Sequence, residues 1–333
     1  DIIASVVSTK YRTLKTEGNN NNNIGLPLTI LKLKDHEVAV IEMGMNHSGE
    51  ISLLTDIAKP TLSVITNVGT SHIGNLGSRE NILKAKLEIL EGMENPKIII
   101  NNDNDLLHKW QEENREDIEI YTFGIQNKSG LNAENIELRE DGSEFVAVSE
   151  TQNLNINVPV GGEHFVYNAL CATQVGRALE ISDEQIQKGI ANFELTKKRM
   201  DIRKLENGVV LINDAYNASY ESMKASLEFL ENHTGSRKIA VLGDMFELGE
   251  YSIELHKKVG EQVAQKNIDI LICGGEHSKY IIEEAKKNVK IQTYFMNNNE
   301  QIVEKLRQEL RNGDVVLVKA SNGMKFFEIC QKL

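Results

Sequence analysis

The chain of 333 residues has little cysteine: Cys171, Cys273 and Cys330 stand far apart and are odd in number. That argues against a disulfide framework and for a reducing compartment, the cytoplasm. No stretch approaches the ~20 consecutive apolar residues of a membrane helix, so no membrane partner is expected. A basic n-region and an apolar h-region, the marks of a secretory signal, are also missing. Positive charge is in deficit, with 37 Lys and Arg against 49 Asp and Glu, net -12. Such a balance argues against a nucleic-acid or anionic-membrane surface. It leaves room for a phosphate ligand, because metals and backbone amides hold phosphate without net basic charge. Neither Gly-x-x-x-x-Gly-Lys-Ser/Thr nor Gly-x-Gly-x-x-Gly occurs, so the usual phosphate cradle and a dinucleotide domain lack support. No repeat of 20–50 residues is evident.

What remains is an ordinary globular composition, 40% hydrophobic and 26% charged, long enough for two domains. Asp1 to Thr9 reads as an apolar helix that starts abruptly, which implies a segment upstream of it. Strands are expected at Val38–Met43, Leu62–Asn67, Lys97–Asn101 and Ile118–Phe123, with helices at Ser48–Ala58 and Arg79–Glu91. This alternation implies βαβ units and a mostly parallel sheet. Glu137–Val148 and Leu154–Val160 alternate like antiparallel strands, and helices are expected at Glu163–Leu179 and Asp183–Phe193. A second α/β series has strands at Val209–Asn213, Lys238–Leu242, Ile268–Cys273, Ile291–Met296 and Asp314–Lys319, and ends on a helix, Met324–Leu333. The boundary is placed at 196, giving domains 1–196 and 197–333.

Candidate chemistry sits at strand ends, where parallel sheets open their ligand crevice. Glu42 ends one strand, and Thr66-Asn67 ends the next, with His72 following in a glycine-rich loop. Lys84 and Lys86 are read as opening the next helix, where its dipole disfavours a cation. A lysine there calls for an anionic partner or for conversion to a carbamate, an anionic metal ligand. Glu42, His72 and carbamylated Lys86 would suit Mg²⁺ bridging phosphates. Asp214 ends a strand of the second series and suits ribose hydroxyls or the cap of a helix from Glu221. His36, His108, His233 and His256 are taken as surface or packing residues.

Together these blocks resemble the Mur ligase family. Thr16, Gly18, Asn19, Asn21, Asn22, Gly25 and Pro27 match its T-x-G-N-x-N-N-x-x-G-x-P block, which turns an asparagine run into a substrate loop. Glu42-Met43-Gly44 with Asn46 and Gly49-Glu50-Ile51 matches a second block. Ile65-Thr66-Asn67 through His72 to Ala85-Lys86-x-Glu88-Ile89 matches the metal and carbamate-lysine block. Gly162-x-His164 with Asn168-Ala169 matches the adenine-contacting helix start. Asp214-Ala215-Tyr216-Asn217 and Leu242-Gly243-Asp244-Met245-x-Glu247-Leu248-Gly249 match the third domain, the latter most specifically. Tyr220 departs from a common Pro, and Ala320-Ser321-Asn322 departs from Gly-Ser-Arg.

The resemblance implies a central parallel-sheet ATPase domain of Mur ligase type followed by a Rossmann-like α/β C-terminal domain. It implies a further, nucleotide-binding domain and a phosphate loop upstream, so the chain by itself is expected to be inactive. It implies ATP and Mg²⁺ as cofactors, with Glu42, His72 and carbamylated Lys86 on the metal and Arg199 near the terminal phosphate. His164 and Asn168 would face adenine and Asp214 the ribose, with Asn217 also on the nucleotide, and Thr16, Asn19, Asn21 and Asn22 would face the substrate. The implied reaction is ATP-dependent addition of D-alanyl-D-alanine to UDP-N-acetylmuramoyl tripeptide by a monomer. A sibling amino-acid-adding or folylpolyglutamate-type ligase, and an inactive nucleotide-binding fragment, are the alternatives.

Overall fold

A computed structural model describes residues 1–113, 117–194 and 199–333. The chain forms two compact units, one of residues 1–68 and 76–194, the other taking in 69–75 with the rest of the chain. The boundary expected at 196 lies outside the described residues.

In the first unit β1 (Thr13–Lys15) pairs in parallel with β2 (Val38–Val40). A six-stranded sheet follows in chain order: β3 (Ser63–Ile65), β4 (Lys97–Asn101), β5 (Glu119–Gly124), β6 (Leu131–Leu138), β7 (Ser143–Val148) and β8 (Asn153–Val158). Strands β3 to β6 run parallel, while β6–β7 and β7–β8 are antiparallel. The residue alternation of β7 and β8 buries one side chain in two, as a sheet with one covered face requires. The single strand expected over Glu137–Val148 is two strands. Arg139 N–H donates to Gly142 O at 2.8 Å and closes a turn between them.

The helix Glu163–Ala178 buries Phe165, Val166, Ala169, Leu170 and Cys171. Gly189 of the helix Asp183–Ala191 lets the Ile2–Val7 helix approach, since a Cβ there would lie 2.5 Å from Val6 Cα. Ser5 Oγ seals the contact by donating to Gly189 O at 2.6 Å.

The second unit holds β9 (Asp201–Lys204), β10 (Val210–Asn213), β11 (Lys238–Gly243), β12 (Ile270–Gly274), β13 (Gln292–Met296) and β14 (Val315–Lys319). Their order is β13-β12-β11-β14-β10-β9, parallel except for β9 at one edge. The runs Ile270–Gly274 and Val315–Lys319 are buried at every position, because helices cover both faces of such a sheet. Each large apolar side chain buried this way contributes about 1.5–3 kcal/mol. Strand β14 inserts between β10 and β11, so the C-terminal ends of these three strands lie side by side, a topological switch point.

The last helix is shorter than expected. Lys325 takes a left-handed φ of 55° and separates a single turn at Asn322–Met324 from the helix Phe327–Gln331. All three cysteines are buried and unpaired. No helix among the described residues is long and apolar enough to cross a membrane.

Candidate active site

In the first unit the asparagine loop is laid against the end of β2. Thr16 N–H donates to Val40 O at 3.1 Å, and Thr16 Oγ1 accepts Glu42 N–H at 2.9 Å. Asn21 Nδ2 donates to Glu42 Oε1 at 2.8 Å, and Asn21 O accepts Gly44 N–H at 2.8 Å. Thr16, Asn21 and Glu42 are therefore brought together. Asn22 Oδ1 accepts Ile24 N–H and Gly25 N–H, at 3.1 and 2.8 Å, at the start of the helix Gly25–Ile30. Asn19 is exposed in the same loop.

Lys86 corrects an expectation. The helix runs Arg79–Leu87, with Ser78 Oγ accepting Asn81 N–H as its cap, so Lys84 and Lys86 lie in its last turn. There the dipole favours a cation, the reverse of the reading from sequence. Burial is what sets Lys86 apart. Its residue keeps intermediate exposure, but desolvation of the ammonium pushes its pKa down. That ammonium has no hydrogen bond or ion pair with any described residue. Two residues on, Glu88 caps another helix, Glu50–Ala58: its oxygens accept Gly49 N–H at 2.8 Å and Ser52 N–H at 3.1 Å.

His164 and Asn168 lie one turn apart on the helix Glu163–Ala178, both of intermediate exposure. The His164 ring centroid is 4.2 Å from that of Phe165. Beside them Tyr167 OH donates to Asp103 Oδ2 at 2.8 Å, and burial first, then this bond, raises the phenol pKa.

In the second unit His72, in a left-handed conformation with φ 63°, hydrogen-bonds through Nδ1 to Glu247 Oε2. A neutral imidazole donating there keeps Nε2 as an acceptor. Gly74 N–H donates to Glu247 O at 2.9 Å, and Thr70 Oγ1 donates to Glu221 Oε2 at 3.0 Å. The loop bearing Glu247 is itself built by specific bonds. Met245 N–H donates to His256 Nε2 at 3.0 Å and Phe246 N–H to Ser321 Oγ at 2.8 Å. His256 is thus no generic packing residue. It is fully buried, donates from Nδ1 to Ser252 O at 2.7 Å, and desolvation lowers its pKa.

Asp214 does not cap the helix Tyr220–Asn232; Ser219 does. Tyr220 is the first residue of that helix, the position where Pro is also well accommodated. The Asp214 carboxylate is buried and fully engaged: Oδ2 accepts Ser226 Oγ at 2.7 Å and Lys319 Nζ at 2.5 Å, and Oδ1 accepts Met200 N–H at 3.2 Å. Lys319 also donates to Asn217 O at 3.1 Å. Arg199, next to Met200, is exposed and lies with Cζ 4.3 Å over the Tyr216 ring centroid. Asp244 Oδ2 accepts Glu276 N–H at 2.8 Å, while Oδ1 accepts Ser278 N–H at 2.7 Å.

From sequence, Lys319 has no role beyond the end of a strand, Glu88 only a place in a motif, and His256 only a surface or packing role. For Lys319 a signal existed: it ends an apolar strand, the same position that singled out Glu42 and Asp214. Among the described residues no three His, Cys, Asp or Glu side chains gather as a metal-holding group. The expected set has only two such members, Glu42 and His72.

A family model for the Mur ligase middle domain matches residues 1–176, and one for the Mur ligase glutamate ligase domain matches 198–322. The UDP-N-acetylmuramoyl-tripeptide–D-alanyl-D-alanine ligase of Bacillus subtilis is 37% identical over 337 residues, spanning 100% of this chain and 72% of that protein. Its namesake in Haemophilus influenzae is 32% identical, over 100% of this chain and 72% of its own length. Among solved structures, a MurF from Acinetobacter baumannii superposes with a TM-score of 0.91 at 28% identity, covering 100% of this chain and 72% of that one. The MurF ligase from Thermotoga maritima in complex with ADP gives 0.87 at 27% identity, covering 99% and 75%. Matched along its length in sequence and in fold, the chain belongs to the Mur ligase family.

Proposed function

We propose that this protein joins D-alanyl-D-alanine to UDP-N-acetylmuramoyl tripeptide, with ATP, in cytoplasmic peptidoglycan-precursor synthesis. The 37% identity to the B. subtilis ligase of that activity, over the whole of this chain, carries the reading. The terminal carboxylate of the tripeptide takes the γ-phosphoryl group of ATP, and ADP leaves. The free amine of the dipeptide attacks the acyl carbon, and the tetrahedral intermediate expels phosphate as the amine sheds its proton. Such chemistry depends on positioning and charge neutralisation.

Glu42, His72 and a Lys86 carbamate are the proposed Mg²⁺ ligands. The donor chemistry fits. Glu42 gives one oxygen to Asn21 and keeps the other, His72 has Nδ1 engaged and Nε2 left, and Lys86 has the depressed pKa that carbamate formation by a neutral amine favours. When bound, the ion would neutralise phosphate and acyl oxygens. His164 and Asn168 would face adenine, and Arg199 the terminal phosphate. Asn217, exposed, would contact the nucleotide. For Asp214, expected to contact ribose itself, the three bonds support an anchoring role that holds the Arg199–Met200 turn. Thr16, Asn19 and Asn22 would line the tripeptide substrate, while the side-chain amide of Asn21, expected there too, is spent on Glu42. The protein would act as a monomer, which sedimentation velocity tests.

The deciding assay measures ATP-dependent phosphate release by the full-length gene product with the UDP-linked tripeptide. Release that requires the dipeptide upholds the reading, and release with a single amino acid overturns it in favour of a sibling ligase. Lys86→Ala should lower the rate by about 10²–10³. A short carboxylate added to the assay should restore part of it.

A further inference from the structure

We infer that Asn21 is the positioning residue for Glu42: its side-chain amide sets the carboxylate for the metal, and its role is distinct from binding the tripeptide. The inference rests on the proposed metal role of Glu42.

Three independent contacts place Asn21. Its Nδ2 donates to Glu42 Oε1 at 2.8 Å. Its carbonyl accepts Gly44 N–H at 2.8 Å, so backbone and side chain grip the same Glu42–Gly44 segment. Gly44 leaves no space between them, since a Cβ there would lie 2.9 Å from both Cγ and Nδ2 of Asn21. The neighbouring residue is packed as closely: a Cβ on Gly25 would lie 2.4 Å from Asn20 Cα. Asn22 then fastens the loop to the start of the next helix. Asn21 therefore sits in a fixed frame. Thr16 Oγ1 holds the Glu42 backbone from the other side.

The consequence for Glu42 is directional. Its carboxylate is exposed, and a free glutamate would sample many rotamers. Asn21 occupies Oε1, while Oε2 has no hydrogen bond or ion pair with any described residue. One oxygen is tethered and the other presented. A neutral amide suits this task, because it donates to an anion without adding a charge that would compete with a cation. Hydrogen-bonded supports of this kind are worth about 10- to 100-fold in metal affinity or activity when lost.

The test uses Asn21→Leu, close in volume and without the donor, in the full-length protein. Mn²⁺, a paramagnetic stand-in for Mg²⁺, is titrated by electron paramagnetic resonance. The expected result is a Mn²⁺ dissociation constant raised about 10- to 100-fold. With Mg²⁺ in the assay, kcat should fall and recover as the Mg²⁺ concentration is raised, while KM for the UDP-linked tripeptide stays within about 2-fold, as a residue without a substrate contact requires. A raised KM for the tripeptide with unchanged Mn²⁺ affinity would overturn the inference and make Asn21 a substrate contact. Should Asn21→Leu fold poorly, Gly44→Ala displaces Asn21 from the other side and carries the same two expectations. Glu42→Gln is the control for the underlying reading. Unchanged Mn²⁺ affinity in Glu42→Gln defeats the metal role of Glu42 itself, whereas loss in Glu42→Gln with none in Asn21→Leu defeats only the role given to Asn21.

Discussion

Lys319 and Asp214 meet at neighbouring strand ends, and the arrangement has an energetic signature. Both are buried, at 2% and 8% exposure, and both have further hydrogen bonds. Removing one partner of such a pair strands the other charge, which costs about 3–5 kcal/mol. Lys319→Met should therefore lower the denaturant-derived unfolding free energy of the second unit by that order. The double variant Lys319→Met with Asp214→Leu should recover much of the loss, because no buried charge remains. Additivity of the two single losses in the double variant would refute the pairing. Arg199 adds a residue-scale reading. The Met200 turn that carries it is tied to Asp214 Oδ1, so, with Arg199 in its proposed place by the terminal phosphate, Asp214→Ala should reduce ATP affinity through that turn.

Among elements, the loop 244–249 shows how local bonds fix a segment of irregular backbone. His256 accepts Met245 N–H only while its imidazole is neutral. Desolvation lowers its folded pKa, outweighing the Ser252 carbonyl and the Asp244 carboxylate at 4.0 Å, which act the other way; His277 nearby adds to the lowering. The unfolded chain therefore takes up this proton first. Stability is flat above the ordinary imidazole value of about 6.5 and falls as pH drops below it. Urea midpoints at pH 5.5 and 7.5 should differ in the wild type, and the difference should shrink in His256→Asn. Glycine contacts act at the same scale. A Cβ on Gly74 would sit 2.5 Å from Gly249 N, so Gly74→Ala must push the 69–75 loop away. Faster hydrogen exchange at the position-74 amide of the variant, which in the wild type donates to Glu247 O, would report it.

Elements also show where sequence reading ended. Apolar runs such as Ile270–Gly274 and Val315–Lys319 are legible, since full burial leaves a continuous hydrophobic signal. Strands β1 and β9 gave none: they are short, and β9 exposes three of its four residues. The helix Gly25–Ile30 was hidden behind an asparagine run and contains Gly25 and Pro27. Lys86 lies seven residues past the helix start at Arg79, in the last turn rather than the first, so the dipole argument from sequence had the wrong sign. The bond between Asn21 and Glu42 was beyond any pattern, since it joins residues 21 apart through a loop whose path only folding sets.

At the scale of the whole molecule, each unit has its own core. In the second unit Phe326 is fully buried among Val316, Val318 and Ile239 of the core. Phe326→Ala should cost about 3–5 kcal/mol in that unit. Cysteine placement offers a way to see it. Cys171 lies in the first unit, Cys273 and Cys330 in the second, and burial pushes the Cys171 and Cys330 thiols up to about 12. A thiol so placed is silent toward alkylating reagents until its surroundings open, because only the exposed thiolate reacts. The three sulfurs are thus built-in clocks of unfolding, read by mass spectrometry peptide by peptide. In Phe326→Ala the clocks at Cys273 and Cys330 should run fast while the one at Cys171 keeps wild-type time.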